Sequence, residues 1–70
     1  MVPSLVSDLP DTDLARVRAE FLEMACLRLT VPQAARLFGV SHTLAARLLT
    51  QLTHEGILMQ LVDGRFARRT

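Results

Sequence analysis

The chain has 70 residues, half of them apolar, a net charge of +1, and a single cysteine. That length admits one small domain with a marginal core, the apolar fraction excludes a disordered chain, and one cysteine excludes an internal disulfide framework. No apolar run is long enough to span a membrane, and the opening MVPSLVSDLP lacks the basic and apolar regions of a signal peptide, so a cytoplasmic protein in a reducing compartment is expected.

The charge is unevenly placed. Residues 1–30 hold Arg16, Arg18 and Arg28 against Asp8, Asp11, Asp13, Glu20 and Glu23, a balance of −2. Residues 31–70 hold Arg36, Arg47, Arg65, Arg68 and Arg69 against Glu55 and Asp63, a balance of +3. All eight basic residues are arginine. The second half suits a polyanion, although an ordinary solvated surface carries the same balance.

In chain order, residues 1–10 form an arm broken by Pro3 and Pro10, with Val2, Leu5, Val6 and Leu9 as its apolar residues. DTD at 11–13 supplies N-cap candidates and negative charge for a first helical turn. Over residues 14–29, Leu14, Val17, Phe21, Met24 and Ala25 recur at helical spacing. A second stripe, Ala15, Ala19, Leu22, Cys26 and Leu29, lies beside them, so this helix is expected to be covered from two directions. On that reading Cys26 is a small core or interface residue, Met24 and Met59 are packing residues, and Leu27 is exposed.

TVPQ at 30–33 reads as a helix start, with Thr30 as cap, Gln33 at the capping-box position and proline in the first turn. The helix runs to Phe38 with Val31, Ala34, Ala35 and Phe38 on one face, and Gly39 ends it. Ser41 caps a third helix, about residues 42–55, whose Leu44, Ala45, Leu48, Leu49 and Leu52 share one arc; Gly56 terminates it. ILMQLV, then Asp63-Gly64, then RFARRT read as a β-hairpin with a two-residue loop, placing Val62 opposite Arg65 and Leu61 opposite Phe66.

The segment LTVPQAARLFGVSHTLAARLLTQLTHEGIL, residues 29–58, resembles the winged helix-turn-helix family. Ala35 matches the small residue at the helix crossing, Gly39 the turn glycine and Val40 the buried residue after it. Ala45 and Leu48 match the inward positions of the second helix of the motif, and EGIL the entry into the first wing strand. The resemblance implies a mostly α, three-helix domain over residues 11–70 with a small β-hairpin. It also implies a sequence-specific regulator of transcription, by family type a repressor, that binds double-stranded DNA.

In such proteins the second helix of the motif enters the major groove, N-terminal end first. Opposite the leucine arc the third helix offers Thr43, Ala46, Arg47, Thr50 and His54, with Ser41 and His42 at its start and no carboxylate before Glu55. A surface between two rows of phosphates favours that absence, and its helix N-terminus favours phosphate. Arg47 can bond bidentately to guanine or clamp a phosphate. Thr43 and Thr50 can donate or accept, and Ala46 permits close approach. Arg65 beside the hairpin tip would reach the backbone or minor groove, and Arg68 joins it. The bland readings stand beside these: His42 and His54 as surface histidines, Arg47 as a solvated helix residue, Arg68 and Arg69 as guards of an edge strand.

Neither histidine pairs with Cys26 or a carboxylate at metal-ligand spacing, so no metal and no cofactor is expected. No nucleophilic constellation, phosphate-cradling loop or paired carboxylate supports an enzyme. A small-molecule ligand is not expected either. A lone recognition helix discriminates weakly, so a homodimer through the arm and first helix is expected on paired half-sites. Two other functions remain open: a winged-helix module that binds protein, and an accessory DNA-binding protein of plasmid maintenance or recombination.

Overall fold

The computed structural model describes residues 10–69. The expectations for Val2, Leu5, Val6 and Leu9 lie outside the described residues. The remaining chain forms three helices and a small three-stranded antiparallel sheet, with helix predominating.

Helix α1 spans Asp11–Glu23, with Pro10 rather than a DTD side chain at its N-cap; Asp11 and Asp13 sit in the first turn, where the helix dipole favours negative charge. It buries Val17 and Phe21, with Leu14 partly covered. The helix stops well short of residue 29. Met24 turns to φ −112°, ψ 92° while its N–H still donates to the Glu20 carbonyl, and the Leu27 N–H donates to Met24 O at 3.0 Å. The chain then straightens into strand β1, Arg28–Leu29.

The expected second stripe is therefore not a covered face. Ala15, Ala19, Leu22 and Cys26 are exposed, and Leu29 reaches the core from a strand; Met24 and Ala25 of the first stripe are exposed as well. Leu27, expected to be exposed, packs partly buried against the core. Pairing with a distant strand here overrides helical spacing, as local propensity alone cannot fix an element's end.

Helix α2 spans Val31–Phe38 and α3 spans His42–His54. The Thr30 hydroxyl accepts from the Gln33 N–H at 3.3 Å, and the Thr30 N–H donates to Gln33 Oε1 at 2.9 Å. This reciprocal box satisfies two of the donors a helix start leaves open. Gly39 closes α2 in the left-handed region at φ 69°, a conformation glycine adopts without the usual Cβ penalty. Two residues later Ser41 Oγ accepts from the Leu44 N–H at 3.0 Å and starts α3. Ala34 and Ala35 are buried on the face of α2 turned to the core, and such small side chains permit close helix crossing.

Strands β2 (Leu58–Gln60) and β3 (Phe66–Arg68) complete the sheet, in the order β1-β3-β2. Leu58 pairs with Arg68, Met59 with Ala67 and Gln60 with Phe66. The pairing expected from the sequence lies one residue out of this register. The loop has three residues, not two: the Leu61 N–H donates to Arg65 O at 2.7 Å and the Gly64 N–H to Leu61 O at 2.9 Å. Gly64 at φ 93° absorbs the extra residue, the arrangement of a turn followed by a left-handed bulge position.

Phe21, Leu48, Leu49, Leu52, Leu58 and Val17 are the largest fully enclosed side chains, each contributing about 1.5–3 kcal/mol of burial. Three arginines bind the elements around this core. Arg16 donates to the Phe38 carbonyl at the end of α2 and lies over the Phe38 ring. Arg18 pairs with Glu55 beyond α3. Arg68 Nη1 donates to Leu22 O near the end of α1 at 3.0 Å. Among the described residues no helix is long and apolar enough to cross a membrane.

Candidate nucleic-acid interface

Successive residues of α3 step about 100° around its axis, and burial follows that step. Ala45, Leu48, Leu49 and Leu52 are enclosed, while Thr43, Arg47, Thr50 and His54 are exposed on the far side. His42 is exposed at the start of the helix and Ala46 is half-buried on the flank. Ser41 is exposed but holds its oxygen on the Leu44 N–H, so it acts as the cap. These residues form one continuous surface from the first turn of α3 to its last.

No carboxylate occurs within α3. Glu55, immediately after it, lies on the flank toward α1. Its Oε1 accepts from Arg18 Nη2 at 2.9 Å and its Oε2 from Gln51 Nε2 at 3.0 Å. The Gln51 amide is the larger influence on its carboxyl; with the Arg18 hydrogen bond and charge it outweighs partial burial and holds the group below its ordinary value. Arg18 Nε is buried without a hydrogen-bond partner among the described residues, and Nη2 is the nitrogen that reaches the carboxylate.

The hairpin tip carries Arg65 and Asp63 as a unit. The Arg65 N–H donates to Asp63 Oδ1 at 3.1 Å and Arg65 Nε to Asp63 Oδ2 at 2.8 Å. The backbone N–H is the larger of these influences, and together they hold the Asp63 carboxyl below its ordinary value. Val62 at the same tip is fully exposed.

Arg68, expected beside Arg65, is committed to α1 through the Leu22 carbonyl. Cys26, expected as a small core or interface residue, is exposed in the turn after α1, and Met24 and Met59 are exposed as well. β3 is the middle strand, so Arg68 and Arg69 do not guard an edge. Arg36 is not among the expected contacts, yet it is exposed on the side of α2 opposite Ala34, Ala35 and Phe38. The helical period of α2 carries that signal. Arg28 and Arg69 are exposed too, and only the existence of β1 relates them.

Among the described residues no three histidine, cysteine or carboxylate side chains converge to hold a metal ion. No family model, curated protein or solved structure matches the chain.

Proposed function

We propose that the protein is a winged helix-turn-helix DNA-binding regulator, with α3 as the element that enters the major groove and the β2–β3 hairpin as the wing. One observation carries this reading. The outward face of α3, with Thr43, Arg47, Thr50 and His54 exposed and the small Ala46 on its flank, is free of carboxylates, and the acid just after it is held aside by Arg18 and Gln51. Such a face suits the space between two phosphate rows. A module built to bind protein would instead be expected to offer aliphatic or acidic side chains there. The arrangement of three helices with a small antiparallel sheet supports the family resemblance. Repression, or an accessory role in plasmid maintenance or recombination, uses the same surface.

The exposed Ala15, Ala19 and Leu22 on α1 support the companion proposal that two copies pair through the first helix and the arm. Selection of bound duplexes from a random pool tests both. Enrichment of a palindrome with half-sites about one helical turn apart is the expected result. No enrichment, with equal retention of every sequence, would exclude specific readout. A single enriched half-site, with one chain per duplex by sedimentation, would exclude the pair.

A further inference from the structure

The sheet has a second face that α3 does not account for. Side chains alternate along a strand, and Leu29, Leu58 and Phe66 turn to the core. Arg28, Ala67 and Met59 therefore project together from the opposite face, as one row across the three strands. Arg65 and Arg69 stand two residues to either side of Ala67 on the β3 segment and share that face. The Arg69 N–H, donating to Ile57 O at 2.9 Å, keeps the register beyond the strand.

Three of the eight arginines thus meet on one surface. Arg28 is a diagonal neighbour of both Arg65 and Arg69, about 7–8 Å between Cα atoms in such a ladder. Of the three, Arg65 is already held by Asp63 in the β2–β3 loop. Arg28 and Arg69 make no ion pair among the described residues. At the centre Ala67 is small and buried, between the exposed Arg28 and Met59. Like charges such as Arg28 and Arg69, with no carboxylate paired to either among the described residues, weaken a sheet. A polyanion satisfies them, with release of its condensed counterions.

We propose that this face, through Arg28 and Arg69, binds the phosphate backbone of a second duplex segment, so that one molecule bridges two stretches of DNA; the proposal rests on α3 being the groove-binding element, with Arg65 at the hairpin tip left to the duplex on α3. The inner face of the sheet and the buried arc of α3 enclose the same core. Their outer faces consequently look away from it in different directions, and a straight duplex seated on α3 does not lie across the sheet. The face offers guanidinium groups beside Met59 and Ala67, without the amide or hydroxyl pattern that reads base edges. Its binding is therefore independent of sequence and strongly dependent on salt.

The test tethers a duplex enriched by selection, saturates it with the full chain, and measures capture of a labelled random-sequence duplex from solution. The wild type is expected to retain the labelled duplex. The double variant Arg28→Gln/Arg69→Gln is expected to bind the tethered duplex within about twofold of wild type, but to lose capture by at least about threefold at fixed salt. A smaller loss overturns the proposal, because capture then comes from elsewhere, such as a second α3 in a paired molecule. Binding to the tethered duplex without capture by the wild type overturns bridging alone. Failure of the wild type to bind the tethered duplex overturns the α3 reading, and bridging with it.

Discussion

Arg18 on α1 holds Glu55, the first carboxylate after α3, at 2.9 Å. The pair links two helices whose sequence positions lie far apart, and both side chains are about a third exposed. Solvent screening keeps the contribution of such a pair to stability below about 1 kcal/mol. Its larger consequence is electrostatic. It keeps an anionic group turned from the face that α3 presents outward.

Glu55 gives the protein a defined acid response, first through its hydrogen bond from Gln51 and then through Arg18. The Glu55 carboxyl titrates below its ordinary value of 4.5 in the folded chain, so the folded state favours the charged form. Its contribution is present above that ordinary value and is lost as pH falls through the depressed one. Glu55→Gln is expected to change urea unfolding little at neutral pH and to make the loss of stability in acid shallower. An unchanged acid dependence would show that Glu55 is not linked to folding.

Arg47 lies in the middle of the outward face of α3. Arg47→Ala is expected to weaken binding to the selected site by about 1–3 kcal/mol if the side chain reads a base. Unaltered affinity at fixed salt would place the groove contact elsewhere.

Asp63 and Arg65 make opposite predictions. Arg65→Ala should lower affinity for selected and random duplexes alike and reduce the salt slope by about one unit. Asp63→Asn removes the carboxylate that occupies Arg65, and should tighten binding to both duplexes. A loss confined to one base position would make Arg65 a base reader. No effect from either change would remove the hairpin from the interface.

A methyl group added at Gly39 would meet no heavy atom within 4 Å, but the backbone there sits at φ +69°. Gly39→Ala is therefore expected to cost about 1–2 kcal/mol from the left-handed backbone alone. Gly39→Asn should cost less, since asparagine visits that region more readily. Equal denaturation midpoints for the two variants would contradict a backbone origin.

Which elements can be read from the sequence follows from where their signals sit. Thr30, Gln33, Gly39 and Ser41 act within three or four residues of themselves, and α2 and α3 have the limits and buried faces that these residues predict. The acid-free face of α3 is equally readable, because exposure follows the helical step. The end of α1 is not. Met24, Ala25 and Cys26 continue a helical pattern with no glycine or proline to interrupt it, and the strand that replaces it depends on Phe66 and Ala67 across the fold. The hairpin register slips for a related reason. Asp63-Gly64 suits a two-residue loop, and only the Leu61–Arg65 pairing assigns Val62 to the turn. The roles of Arg16, Arg18 and Arg68 depend wholly on contacts between elements, which no local spacing encodes.

The middle position of β3 also bears on how the chain folds. β1 and β2 each pair with β3 and not with each other. The three helices can start from local signals, but residues 28–29 and 58–60 must wait for residues 66–68 to reach them. Until then Leu29 and Leu58 lack the strand that fixes them, and the chain holds an open apolar seam. The final hydrogen-bonded strand is thus the step that closes the core.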